Sequence, residues 1–398
     1  DDDQRRGGRM TTFPAAGGRF REERDPWWFV VDPLLILSVM AITAMGALLV
    51  YSATRGPATE LDPADTSFLT RQVLFAVVGA GFGLFAALIN IERIRSLVGV
   101  AYIATLGLLF GVVLFGADIN GTQAWYRVGG FTFQPSEPGK LVLIITLATV
   151  FSGDRVGFQR MAAGLLLAGV PIGLILLQPD LGTVLVYIVI TAVMITMSNI
   201  SMRLILLLVL AAITAITMIF TSDVLEDYQK DRLTVFVLDD EAVAELGADA
   251  VRVAYNAEQS QIAIGNGGLT GTGLFQGTQT SSNLVPEQQT DFIFSVAGEE
   301  LGFRGAAILL VLFAVVVLRI WRVAVRASDE FDRLLAVGVM SMFVFQVFQS
   351  AGMTMGMMPV TGIPMPFVSY GGSSMLTSMI AIGLILGVYR RRFDYVRA

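Results

Sequence analysis

The chain has neither cysteine nor histidine. Disulfides and thiol chemistry are thereby excluded, and so are the usual neutral-pH base and the commonest metal ligand. Any acid–base chemistry falls to Asp, Glu, Lys or Tyr. Charge is scarce as well, at 15% of the 398 residues, and polar surface of the kind a soluble protein shows is missing, since 54% of residues are hydrophobic. Nucleic-acid binding is not indicated: the net charge is −6, and the basic residues are spread over short flanks. A phosphate loop is absent too. The glycine run Asn266–Gly277 has no Gly-Lys-Ser/Thr and no preceding strand, so nucleotide binding is rejected.

What the chain does have is a succession of apolar segments, each near the ~20 residues that cross a bilayer. Ten spans are expected, at about 33–53, 72–90, 97–116, 138–153, 161–177, 181–198, 203–222, 300–318, 334–357 and 373–389. The fold class is therefore an all-α polytopic integral membrane protein. The eighth span must borrow Glu299–Gly302 to be long enough. Residues 1–26 read as a disordered cytoplasmic tail or an expression remnant with no cleavable signal. Residues 27–398 form one membrane domain that includes a long outer loop over 223–290. Trp27 and Trp28, just before the first span, read as interfacial anchors.

Orientation follows from the basic residues, which short loops retain on the cytoplasmic side. One set of flanks, including both termini, carries 19 of the 27 Lys and Arg. Both termini are accordingly cytoplasmic, and an even number of spans agrees.

Four outer segments hold the unusual residues: 117–140, 178–183, 223–290 and 359–374. Proline and glycine crowd all of them, and non-helical backbone at membrane depth is tolerated only where protein buries it or where it lines a water-filled cavity. A shared polar cavity open to the outside accounts for Glu137, Lys140, Asp180 and Asp291 together, where ordinary turns would account for each alone. Within the long loop, Tyr255–Gly265 reads as a short amphipathic helix. The glycine run after it reads as tight packing, with a backbone nest for a lipid pyrophosphate as the alternative.

Five motifs occur together and in order: Gln134-Pro-Ser-Glu137, Gln178-Pro-Asp-Leu-Gly-Thr183, Gln259-Ser-Gln-Ile-Ala-Ile-Gly265, Pro286-Glu-Gln-Gln-Thr-Asp-Phe-Ile-Phe294 and Pro366-Phe-Val-Ser-Tyr-Gly-Gly-Ser373. In these the chain resembles the SEDS family (shape, elongation, division and sporulation) over its whole length from the first span, and Pro359-Val-Thr-Gly-Ile-Pro-Met-Pro366 leans toward the elongation branch. The resemblance implies a peptidoglycan glycosyltransferase that polymerises lipid II on the outer face of the bacterial cytoplasmic membrane. It also implies partnership with a class B penicillin-binding protein transpeptidase and other elongation-complex membrane proteins. Asp291 takes the position of the family's essential acid, and Glu137, Lys140, Asp180 and Arg232 carry over as charged site residues. The chain departs from the family pattern at Ala124, where a basic residue is usual, at Ser350, where Asn is common, and at Gln289, where many members have His.

The implied reaction joins a sugar hydroxyl to an anomeric carbon and expels undecaprenyl pyrophosphate, which needs a base and a charge compensator. Asp291 is the candidate base. Lys140, Arg232, Arg127 or a hard divalent ion held by carboxylates could stabilise the leaving group, and no cofactor is required. Each residue also has a plainer reading. Asp291 could cap the following helix, Glu137 and Lys140 could be a local i,i+3 ion pair, and Asp180 could bind turn amides or balance Lys140. Ser369 and Tyr370 shape the pocket. Two other function classes compete, a lipid II flippase and a non-catalytic scaffold for the transpeptidase.

Overall fold

The computed structural model describes residues 31–55, 65–119, 122–129, 131–153, 156–221 and 248–397. The expected tail over 1–26, Trp27, Trp28, and the part of the long loop that carries Arg232 lie outside the described residues. Helices α1 (Pro33–Thr54), α2 (Ser67–Leu88) and α3 (Ile91–Phe115) come first, followed by strands β1 (Ala117–Ile119), β2 (Thr122–Val128) and β3 (Phe131–Phe133). Helices α4 (Ser136–Phe151), α5 (Phe158–Leu176), α6 (Leu181–Met197) and α7 (Met202–Thr221) follow. Helices α8 (Ala248–Gly267), α9 (Thr278–Ser281), α10 (Ile293–Val325), α11 (Glu330–Thr354) and α12 (Gly372–Arg397) complete the chain.

Each of the ten expected spans coincides with a helix. Among the described residues, seven helices (α1, α2, α3, α5, α10, α11 and α12) are long and apolar enough to cross a bilayer. Helix α6 is apolar but has 17 residues, and α4 has 16. The starts are set by polar side chains that satisfy orphan amides. Asp32 accepts from the Leu35 amide at 3.1 Å, with Pro33 in the first helical position. Asp329 accepts from the Asp332 amide at 2.8 Å.

Helix α11 is central, packed by α4, α6, α10 and α12, and its Leu334, Leu335, Ala336 and Val339 are fully buried. The outer helices instead leave apolar side chains such as Leu97, Val100 and Ile103 on α3 exposed, as lipid contact requires. Helices α2 and α12 cross so closely that a Cβ on Gly383 would lie 2.0 Å from the Gly83 carbonyl oxygen. Small residues at the crossing permit that approach. One end of the bundle is tied by ion pairs: Arg319 meets Asp32 at 2.7 Å, and Arg391 meets Asp332. These pairs put the start of α1, the end of α10, the start of α11 and the end of α12 at one basic end.

Three features differ from expectation. First, α10 begins at Ile293, seven residues before the expected start at Glu300, and runs through a break at Gly302, whose φ of 66° and ψ of −170° are accessible to glycine. The glycine run repairs the break. The carbonyls of Glu299 and Glu300 accept from Thr272 and Gly273 at 2.9 and 3.1 Å, and the amides of Phe303 and Arg304 donate to Gly268 and Leu269 at 2.9 and 3.2 Å. Second, the segment 117–140 contains an antiparallel sheet ordered β1-β2-β3, with Ala117 opposite Trp125 and Arg127 opposite Thr132. Strand pairing joins β1, β2 and β3, while the Gln134 amide beyond them donates to Ser373 Oγ. Third, the short helix expected at Tyr255–Gly265 is the 20-residue α8.

Candidate active site

Asp291 lies in a tight turn at the end of the bundle opposite the Asp32–Arg319 pair. The carbonyl of Glu287 accepts from the amides of Thr290, Asp291 and Phe292 at 3.1, 3.1 and 3.4 Å, curling the chain just before α10. Asp291 is partly buried. The cap position falls on Phe292, with no side-chain hydrogen bond capping the helix there. Asp291 stands immediately before that cap position.

Hydrogen bonds draw other proline- and glycine-rich segments toward the same end. The Tyr370 amide donates to the Gln289 carbonyl at 2.8 Å. Three residues on, Ser373 Oγ accepts from the Gln134 amide at 3.0 Å, and Gln134 Nε2 donates to Asp180 Oδ2 at 2.9 Å. A continuous path thus links the Asp291 turn, the 369–374 segment, the start of α4 and the start of α6. Segments 134–140, 178–183 and 287–292, far apart in sequence, share one end of the fold.

Within that cluster, Lys140 Nζ lies 2.7 Å from Glu137 Oε1, and both side chains are almost fully buried. The local i,i+3 ion pair is the arrangement present. Lys140 faces Glu137 rather than open solvent. Asp180 caps α6, accepting from the Thr183 amide at 2.9 Å and its hydroxyl at 2.7 Å. Its carboxylate thus holds the first turn of α6. Ser369 Oγ accepts from the Met365 amide at 2.8 Å, and its carbonyl accepts from Gln72 at 3.2 Å, so it braces the segment below Tyr370. Arg127 is exposed on β2, one residue beyond Tyr126, whose hydroxyl donates to the Leu108 carbonyl at 2.9 Å. Burial pushes the Tyr126 phenol up, keeping it a neutral donor. Arg232 lies outside the described residues.

In the glycine run the amides of Gly268, Gly271, Thr272, Gly273 and Gln276 donate to protein carbonyls, and those of Thr272 and Gly273 pack the run against α10. Among the described residues no cluster of three or more carboxylates could hold a metal ion. A cavity of about 290 Å³ between α10 and α11 is lined by apolar side chains such as Phe313, Val344 and Phe348. Without polar groups it is not a place for chemistry.

Sequence reasoning missed a polar stripe on α11. Gln346, Gln349 and Ser350 are buried, and Gln346 Oε1, Gln349 Oε1 and Ser350 Oγ lack hydrogen-bond partners. Gly338 packs on Ile144 of α4, which sets the antiparallel register that puts this stripe level with the start of α4. Spacing of i, i+3 and i+4 within an apolar run was the available signal. The acid pair Glu299–Glu300 was also passed over as span padding. Glu299 accepts from Gln279 N, Thr280 N and Thr280 Oγ1 at 2.8, 2.9 and 2.7 Å, fixing α9 onto α10. Glu300 accepts from Ser52 Oγ of α1 at 2.5 Å.

Comparison with known proteins gives a consistent picture. Residues 32–393 match the profile of the FtsW/RodA/SpoVE family, described as cell cycle protein. The chain is 33% identical over 366 residues to the Escherichia coli K12 protein named peptidoglycan glycosyltransferase MrdB, covering 91% of this chain and 94% of that one. It is 30% identical to the Treponema pallidum peptidoglycan glycosyltransferase RodA, covering 91% and 98%. A chain from a solved peptidoglycan synthase complex, described as coordinating polymerization and crosslinking, superposes with TM-score 0.75 at 30% identity, covering 92% of this chain and all of that one. The crystal structure of the Thermus thermophilus rod shape determining protein RodA matches with TM-score 0.66 at 30% identity, covering 92% and 99%.

Proposed function

The chain belongs to the FtsW/RodA/SpoVE family of cell cycle proteins, the SEDS proteins, and from that premise we infer that it is a peptidoglycan glycosyltransferase that polymerises lipid II. Relatives covering nine-tenths of the chain carry that activity in their names. The observation that carries the chemistry is the Asp291 turn. It places a carboxylate just before α10, joined through hydrogen-bonded backbone to the segments bearing Lys140, Glu137, Asp180 and Ser369.

The acceptor sugar hydroxyl attacks the anomeric carbon of a lipid-linked donor. A new C–O bond forms, the bond to pyrophosphate breaks, and undecaprenyl pyrophosphate departs with inversion at carbon. The hydroxyl proton passes to the Asp291 carboxylate. A base held within hydrogen-bond reach supplies about 10² to 10⁴ in rate. Pyrophosphate is a good leaving group and needs no acid, only compensation of its charge. Lys140, Arg232 and Arg127 are the cations proposed for it.

The protein is an integral membrane protein. Lys and Arg gather at the Asp32–Arg319 end, and basic flanks are retained inside. The Asp291 end accordingly faces the outside of the cytoplasmic membrane, where lipid II is consumed. A class B penicillin-binding protein that crosslinks the product is the proposed partner, within an elongation complex.

Purified full-length protein in liposomes with lipid II, followed for glycan polymer on a gel, tests the reading. Polymer formed without another polymerase supports it. Lipid II crossing the bilayer with no polymer made would replace it with a flippase.

A further inference from the structure

The three residues before Asp291 include one whose side chain turns away from the site. Gln288 is 2% exposed, although it stands in the polar run Glu287-Gln-Gln-Thr-Asp291 that reads as solvated loop. Its Nε2 lies 2.9 Å from the carbonyl oxygen of Ala53 at the end of α1, 3.0 Å from that of Thr280 in α9, and 2.8 Å from Asn283 Oδ1. Three acceptors converge on one NH₂ group, so only a donor is tolerated at that point.

The neighbouring backbone needs such an anchor. Glu287 sits at φ +53° and Asn283 at φ +50°. Left-handed conformations of non-glycine residues persist where the surroundings over-determine them. On one side of the turn Gln288 ties the chain inward; on the other the Gln289 carbonyl accepts from Tyr370 at 2.8 Å. Thr280 is itself held by Glu299 through its amide and hydroxyl at 2.9 and 2.7 Å. The clamp therefore joins the Asp291 turn to α1, α9 and α10 at once.

We propose that Gln288 is a positioning residue for the glycosyl transfer, using its amide to fix the turn that aims Asp291 at the acceptor hydroxyl. This rests on Asp291 being the base. Gln288 touches no substrate. Its loss lets the carboxylate drift, and displacements near 1 Å cost about 10²-fold in rate.

The test compares full-length Gln288→Met and Gln288→Glu with the parent protein in liposomes containing lipid II. The Met variant keeps the volume and loses both donors. Its kcat should fall about 10- to 100-fold with KM little changed, and in an Asp291→Asn background it should add no further loss. The Glu variant presents an acceptor to three acceptors when ionised and an O–H donor when neutral. Its activity relative to the parent should therefore rise as pH falls. Parent-like kcat in a folded Met variant overturns the proposal, as does a full multiplicative loss on top of Asp291→Asn. If the Met variant does not fold, the Glu variant decides, and a pH-independent ratio to the parent overturns the clamp. Normal polymerisation by Asp291→Asn alone sinks the base reading beneath it. An inactive Asp291→Asn beside a fully active Gln288→Met sinks the clamp only.

Discussion

Lys140 Nζ and Glu137 Oε1 lie 2.7 Å apart on the first turns of α4, and almost none of either side chain reaches solvent. A pair this deep is costly to break from one side, because the partner is left buried and charged; the loss is roughly 3–5 kcal/mol. Lys140→Met should therefore lower the unfolding temperature sharply. Glu137→Gln/Lys140→Met should recover most of it, since no lone charge remains. Polymerisation by the stable double variant should stay down by on the order of 10², if Lys140 also compensates the leaving pyrophosphate. Polymerisation that returns in step with stability would confine the pair to architecture.

Asp180 offers a cleaner separation of charge from geometry. It caps α6 through the Thr183 amide and receives Gln134 Nε2, and Asn retains a capping oxygen. Asp180→Asn should unfold like the parent, whereas Asp180→Ala should lose about 1 kcal/mol. Parent-like polymerisation by Asp180→Asn is expected. A folded but inactive Asn variant would move Asp180 from the scaffold into the chemistry.

Gly302 is where α10 breaks, and a Cβ there would lie 2.2 Å from the Gly271 amide nitrogen. Gly302→Ala should cost at least ~1–3 kcal/mol through the strained backbone conformation alone. The same change should loosen the glycine run, because its partners are the carbonyls and amides that flank the break. Limited proteolysis should then cut between α8 and α10 faster than in the parent. An unchanged cleavage rate and melting point would mean the helix heals across the break.

The membrane architecture was legible in the sequence because apolar run length is a direct physical requirement of the bilayer, and each expected span became a helix. The sheet was also written there: Gly129-Gly130 between Tyr126-Arg-Val128 and Phe131-Thr-Phe133 is a hairpin signal, overlooked by treating the whole segment as irregular. The early start of α10 was harder to see. Phe292-Ile-Phe294 is apolar but is followed by Glu299 and Glu300, and only tertiary partners such as Ser52 and Thr280 make those acids tolerable within a helix.

Of the candidate site, the i,i+3 spacing of Glu137 and Lys140 and the turn around Asp180 carried their partners locally, so sequence sufficed. Which segments meet did not follow from sequence. Gln134 reaching Ser373 and Tyr370 reaching Gln289 are contacts across more than 80 residues each, set by how the helices pack. Gln288 was invisible for the same reason, since its acceptor Ala53 comes from the first span.

The central claim is that Asp291 takes the proton of the attacking hydroxyl. Asp291→Asn keeps the size and much of the hydrogen bonding of the side chain but cannot act as a base, so the decisive measurement is the rate of glycan formation from lipid II by reconstituted Asp291→Asn. With melting point and lipid II binding matched to the parent, polymerisation should fall by roughly 10² or more. Near-parental polymer yield from the folded variant would contradict the account.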